Sequence, residues 1–193
     1  MNSRNTRKRI TNTLKKRRSK KTLRKLFKFV GGNDNDKSLF NAIYQNNLDN
    51  IKTLIKEGAK VNEVDKDGYT PLHIACMEGN LDIIKYLIKK AAKVNAKTQY
   101  GSTPLHIFCQ EGIVNSKEVN EENITRYLDV FMNNGAIMDV EDNDGRTPLE
   151  ILIERPSGII SRRLAIEFIK RGANINDKTS DGNTLLLFAL KKF

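Results

Sequence analysis

One phrase returns four times along the chain, and its spacing decides most of what the chain can fold into. Gly68-Tyr69-Thr70-Pro71-Leu72-His73, Gly101-Ser102-Thr103-Pro104-Leu105-His106, Gly145-Arg146-Thr147-Pro148-Leu149-Glu150 and Gly182-Asn183-Thr184-Leu185-Leu186-Leu187 are versions of it. Counted from Leu39, the leucines at 39, 72, 105, 149 and 186 lie 33, 33, 44 and 37 residues apart, a base unit of 33 with additions of 11 and 4. A period of this size argues for stacked supersecondary units, none of which can bury its apolar face alone, and against a lone closed core.

The phrase reads as a turn followed by a helix start. Gly tolerates the backbone angles of a tight turn, Thr caps the first free helical N–H groups, and Pro arrives with its φ already set for the first helical position. In the second unit Ile74, Ala75 and Cys76 continue the first helix and Gly79 can stop it in a left-handed conformation. Leu81, Ile83, Ile84, Leu87 and Ile88 then give a second apolar stripe at helical spacing. Each unit is therefore predicted to be two short helices back to back.

The units also end alike: Gly58-Ala59-Lys60-Val61-Asn62, Ala91-Ala92-Lys93-Val94-Asn95, Gly135-Ala136-Ile137-Met138-Asp139 and Gly172-Ala173-Asn174-Ile175-Asn176. With the Thr-Pro-Leu-His phrases at 70–73 and 103–106, residues 36–193 resemble the ankyrin repeat, as four full units (about 36–65, 66–97, 98–142 and 143–177) and a terminal half unit at 178–193. The resemblance implies an all-α solenoid of stacked helix-turn-helix pairs with short β-hairpin-like loops. It implies that His73 and His106 are structural, bonding neighbouring hydroxyl and backbone groups. It also implies a non-catalytic module that binds another protein on a concave face, lined by the hairpin tips and the exposed side of the first helices. On this chain those positions are Lys66, Asp67, Tyr69, Gln99, Tyr100, Asn143, Asp144, Arg146 and Asp181 at the tips, and Met77, Glu78, Gln110, Glu111, Glu154 and Arg155 on the helices. Tyr69 and Tyr100 are the anchor candidates, since an aromatic ring with a polar tip buries area at small entropic cost. Glu78, Glu111 and Glu154 recur at equivalent places and are expected to form a discontinuous acidic ridge.

Several residues depart from the pattern. The first unit has Lys37-Ser38-Leu39-Phe40 in place of the phrase, as an end cap would. The extra 11 residues of the third unit, around Ile113 to Asn123, are rich in Asn, Glu and Ser and are expected to bulge between its helices. The fourth unit gains four near Arg155-Pro156-Ser157-Gly158, where Pro should end the first helix. Ala91 stands where Gly is usual, at a cost of about 1 kcal/mol if φ there is positive. Phe108 and Leu152 replace the small residue seen as Ala42 and Ala75, which questions close packing in those two layers. The last helix, Leu185 to Phe193, has no partner in the sequence and reads as a cap or as a docking patch.

Little of the usual chemistry of enzymes is written here. The chain has two cysteines and two histidines. Cys76 and Cys109 fall one unit apart on stacked helices about 8–10 Å from one another, too far for an unstrained disulfide, so free thiols and a reducing, intracellular setting are expected. No phosphate-cradling glycine loop, zinc-ligand spacing or nucleophile elbow occurs, so neither catalysis, a cofactor, a metal nor a small-molecule substrate is expected. No apolar run approaches the ~18 residues of a membrane span.

The net charge of +11 belongs to one end. Residues 1–32 carry 13 Lys or Arg and no Asp or Glu, whereas residues 33–193 carry 21 basic and 23 acidic side chains. Residues 1–33 thus read as a basic, mostly disordered tail, and residues 34–193 as the repeat domain. The block Lys15, Lys16, Arg17, Arg18, Lys20 and Lys21 resembles a nuclear-import signal read by an acidic carrier; it equally suits phosphate backbones of nucleic acid. Arg4, Arg7, Arg9, Ser3 and Thr11 partly fit a mitochondrial leader, and Leu23, Leu26, Phe27 and Val30 could give a basic helix an apolar face for membrane contact. The expectation is a monomeric adaptor that binds a protein through its repeats, with its tail directing it to the nucleus or nucleolus ahead of cytoplasm or mitochondrion. The competing expectation is a nucleic-acid-associated protein whose tail is the main binding element and whose repeats recruit a partner.

Overall fold

The computed structural model describes residues 38–116, 118–154 and 158–175, all within one unit of the fold that starts at Ser38. Among them every regular element is helical. Unit one holds α1 (Leu39–Tyr44) and α2 (Leu48–Lys56), and unit two holds α3 (Pro71–Glu78) and α4 (Leu81–Lys89). In unit three α5 (Pro104–Ile107) runs on through a π-helical segment (Phe108–Gly112) into α6 (Ile113–Asn115), and α7 (Ile124–Met132) follows. Unit four holds α8 (Pro148–Glu154) and α9 (Ile159–Lys170). The tail, Arg155, and the terminal half unit with Asp181 lie outside the described residues.

The local chemistry of the phrase explains where each first helix starts. Thr70 Oγ1 accepts from His73 N (3.4 Å) while Thr70 N donates to His73 Nδ1 (3.0 Å), with Pro71 in the first turn. Gly79 then takes φ +68 and ends α3. Asn80 caps α4, its Oδ1 accepting from Asp82 N (3.1 Å) and Ile83 N (3.0 Å). In the fourth phrase position of unit four Glu replaces His and makes the same box: Thr147 N donates to Glu150 Oε2 (2.7 Å) and Glu150 N to Thr147 Oγ1 (3.3 Å).

First helices stack on first helices, α1 on α3, α3 on α5 and the π segment, and α8 on those in turn. In units one, two and four the second helix packs behind its own first, while α7 packs on α9 and meets the π segment through the rings of Tyr127 and Phe131 on Phe108. Of the five leucines that set the period, Leu186 lies outside the described residues, and Leu39, Leu72, Leu105 and Leu149 are at most 1% exposed. Each contributes about 1.5–3 kcal/mol of burial that a lone unit could not supply. On α4 the alternation is clean: Ile83, Ile84 and Leu87 are buried, whereas Lys85 and Lys89 face water.

Polar clamps tie one unit to the next. Because His73 Nδ1 accepts from Thr70 N, its proton sits on Nε2, which donates to Ser102 O of the next unit (3.1 Å). His106 repeats this on Arg146 O (3.0 Å). On the other side of the stack Asn62 bridges to Ala91 O (2.9 Å) and Lys93 N (2.8 Å), and Asn95 to Gly135 O (2.7 Å) and Ile137 N (3.0 Å). Both histidines are thus structural, as the resemblance implies.

The layers that looked too crowded pack by two different adjustments. Phe108 opens the π segment and stacks on Tyr127 with ring centroids 4.9 Å apart, and lies 5.9 Å from Phe131. Tyr127 and Phe131 stand where α4 has Ile83 and Leu87, so three aromatic rings meet in this layer. In unit four both Leu152 and Ala165 are buried, and Ala165 stands where Ile51, Ile84 and Leu128 stand in the earlier units, so the gain in side-chain volume on the first helix is offset by a loss on the second.

The 11-residue insertion lies between the helices of unit three, but it is not a free bulge. Ile113 and Val119 are buried. Ser116 Oγ and Tyr127 OH both donate to Gly79 O (2.9 and 2.8 Å), and Asn115 Nδ2 donates to Met77 O (3.3 Å). The insertion therefore satisfies the carbonyls at the end of α3, which a helix end otherwise leaves open. Gly112 is pressed against Cys76 O and the Phe108 ring, with no room for a Cβ.

Candidate partner-binding face

Units two, three and four each project a tight turn ahead of the first helix, and one side chain holds each turn. Asp65 Oδ1 accepts from Asp67 N (2.9 Å) and Tyr69 N (2.8 Å), and Asp142 Oδ1 from Asp144 N (2.9 Å) and Arg146 N (3.1 Å). Thr98 Oγ1 does the same more weakly for Tyr100 N (3.2 Å) and Ser102 N (3.3 Å). Burial raises the Asp65 carboxyl above its ordinary range, against the lowering effect of these two N–H donors. Neighbouring turns are joined edge to edge: Gln99 N donates to Asp67 O and Asn143 N to Tyr100 O, both at 3.0 Å. Gly101, at φ +74, has no alternative, since a Cβ would also stand 2.8 Å from Asn143 N.

This scaffold sorts the sequence candidates. Lys66, Gln99, Asn143 and Asp144 are exposed, and Tyr69, Tyr100, Gln110, Glu111, Arg146 and Glu154 are half-buried. Tyr69 meets the His73 ring edge-on at 5.8 Å. Asp67 is buried and accepts from Gln99 Nε2 (2.7 Å), so it joins two turns and offers no tip.

Two helix positions are corrected outright. Met77 and Glu78 are 1% and 4% exposed, because α3 lies in mid-stack with all eight of its residues buried. The expected acidic ridge consequently lacks its first member. Glu111 is met by Asn115 Nδ2 (3.3 Å), and Glu154 by Arg146 Nη1 (3.6 Å). Arg146 also bonds Asp142 (3.0 Å) and Asp144 (3.1 Å), which makes it a strut of the turn.

The turn holders Asp65, Thr98 and Asp142, the clamps Asn62 and Asn95, and Asp139, whose Oδ1 accepts from Asn174 N of the next unit (3.1 Å), were not among the sequence candidates. The signal was present in both sets, which repeat at the same spacings of 33 and 44. Cys76 and Cys109 are buried and not joined in a disulfide, and burial pushes the Cys76 thiol well above its ordinary value, which leaves it unreactive. Among the described residues no three of His, Cys, Asp and Glu are grouped to hold a metal ion, and no helix is long and apolar enough to cross a membrane.

A stack of capped helix pairs with edge-joined turns defines the class of repeat scaffold to which comparison also leads. The family described as ankyrin repeats (3 copies) matches residues 17–98 and 39–128, together more than half of the chain. The chain belongs to the ankyrin-repeat family. It is 46% identical over 39 residues to protein phosphatase 1 regulatory subunit 27 of Mus musculus and of Homo sapiens, covering 20% of this chain and 25% of those proteins. It is 54% identical over 41 residues to the ankyrin repeat protein FPV223 of fowlpox virus (strain NVSL), covering 21% of this chain and 29% of the viral protein. The chain thus matches little more than a quarter of these relatives' length.

Proposed function

We propose that this protein is a non-catalytic adaptor that binds another protein across its edge-joined turns. Ankyrin repeats generally mediate protein–protein interaction, and a relative is by name a regulatory subunit of a phosphatase. The observation that carries the reading is the row of turns itself. Backbone bonds at 3.0 Å fix turn to turn, so Lys66, Tyr69, Gln99, Tyr100 and Asn143 are presented without the ordering cost that weakens a flexible surface. Tyr69 and Tyr100 stand one unit apart and supply the anchors, and Gln110 and Glu111 border them.

The tail is assigned a separate task. Its block Lys15, Lys16, Arg17, Arg18, Lys20 and Lys21, in a stretch without a single acid, fits carriage to the nucleus or nucleolus and contact with polyanions. The test is affinity capture with the full chain, followed by Tyr69→Ser with Tyr100→Ser. We expect the captured protein to be lost from the double variant and retained by Lys52→Glu with Lys85→Glu, which alters the outer helices only. Equal capture by both would refute the assignment.

A further inference from the structure

The outer helices of units one and two share a charge pattern that the fold does not require. Counted against the unit-ending Gly58 and Ala91, three positions are lysine in both units: Lys52, Lys56 and Lys60 in unit one, Lys85, Lys89 and Lys93 in unit two. Unit three fills the same positions with Asp129, Asn133 and Ile137, and forms its outer helix without a cation at any of them. Helix stability explains little of the pattern, because only Lys56 and Lys89 stand in a last turn, where the helix dipole favours a cation.

All six lysines are exposed. Lys52 meets Asp49 at 3.0 Å, and the other five have no carboxylate partner among the described residues, Glu57 at the end of α2 included. On each helix two of them lie four residues apart on one face, about 6 Å along the axis. Asn62, bonded to Ala91 O (2.9 Å) and Lys93 N (2.8 Å), holds the two unit endings side by side. An aromatic ring stands inside this field. Tyr86 is half-buried on α4 next to Lys85, and its equivalents in the other units are Thr53, Val130 and Glu167. Lys90 Nζ lies 5.7 Å from the ring centroid, a weak contact at an exposed site that a flat base can displace.

We propose that the outer face of units one and two binds single-stranded nucleic acid, with the lysines on phosphates and Tyr86 stacked on an unpaired base. This surface is separate from the turns and does not depend on what they bind. Lysines without carboxylate neighbours select a polyanion, and the ring favours one that carries flat bases over an acidic peptide. An anionic bilayer fits less well, because it also draws on exposed apolar side chains, and no large apolar residue of α2 or α4 is exposed. The acid-free stretch 1–32 is covalently continuous with unit one, so a strand held by either is kept at high effective concentration for the other.

Fluorescence anisotropy of the full chain on a labelled oligothymidylate of about 20 nucleotides, between about 50 and 200 mM salt, tests this. The tail is intact in every variant, so its own share cancels. Lys85→Gln with Lys89→Gln and Lys93→Gln should make the slope of log K against log salt shallower by about 2, from three phosphate contacts at about 0.7 each. Arg162→Gln with Arg163→Gln and Lys170→Gln removes the same charge from α9 and should leave the slope as it was. Lys85→Arg with Lys89→Arg and Lys93→Arg should also keep it. Tyr86→Ser should weaken binding to oligothymidylate about tenfold and leave an abasic strand of equal length unaffected. If that variant fails to fold, Tyr86→Leu takes its place with the same expectation. Oligouridylate should bind within about threefold of oligothymidylate, since no contact reads the sugar. An unchanged slope in the lysine variant, an equal change in the α9 variant, equal effects of Tyr86→Ser on both strands, or tighter binding of polyglutamate or phosphatidylserine vesicles through the same lysines would each overturn it.

Discussion

Ala91 takes φ +63 at the position where Gly58, Gly135 and Gly172 take +99, +78 and +88. A left-handed alanine costs about 1–2 kcal/mol, of which glycine's extra freedom in the unfolded chain returns part. Ala91→Gly should therefore stabilise the protein by about 0.5–1 kcal/mol, read as an upward shift of the urea midpoint at constant slope. A second residue-scale prediction concerns His73. Desolvation lowers its pKa from the ordinary 6.5 to about 4, so the fold holds the ring neutral. As pH falls below 6.5 the unfolded chain takes up a proton that the folded chain refuses, and stability declines down to about pH 4, where the loss levels off. From His73 alone the loss reaches about 2 kcal/mol by pH 5, and His106, whose pKa burial also lowers, adds to it. Urea denaturation at pH 7.5 and 5 would show it, and His73→Gln should flatten the dependence.

The insertion and the π segment form the element in which sequence and structure part company. Units, helix starts and caps follow from the period because each residue there has an equivalent in the next unit: Gly79 stops α3 as read, and Thr70 and Thr147 cap as read. Residues 113–123 have no equivalent, so the period is silent about them. Their partners are chosen by carbonyls of the preceding unit 37 and 38 residues away, as for Ser116 Oγ on Gly79 O and Asn115 Nδ2 on Met77 O. The burial of Met77 and Glu78 escaped for a related reason, since an average unit has an exposed first-helix face and this α3 has none. Tyr127, whose hydroxyl burial pushes up to about 12, stays a neutral donor at any physiological pH. Tyr127→Phe should cost only about 1 kcal/mol, because Ser116 still serves Gly79 O. Ser116→Ala with Tyr127→Phe leaves that carbonyl without either donor and should cost more than the two single changes together, a coupling that a double-mutant cycle would measure.

At the scale of the molecule, the same clamps that hold the stack also set the spacing of its turns. His73 and His106 fix each first helix to the turn of the next unit, and the turn-to-turn bonds complete the row. The placement of Tyr69 and Tyr100 in the turns was legible because the phrase fixes where each turn falls. The exposure of Ile159 and Ile166 on α9 was not, because an isoleucine in an apolar-rich helix draws no notice until its neighbours are seen to leave it exposed. The most direct test of the turn face places a photo-crosslinking phenylalanine analogue at 69, 100 or 85 in the full chain. Irradiation with the captured partner should give adducts from 69 and 100 and none from 85; adducts from 85 alone would contradict the account.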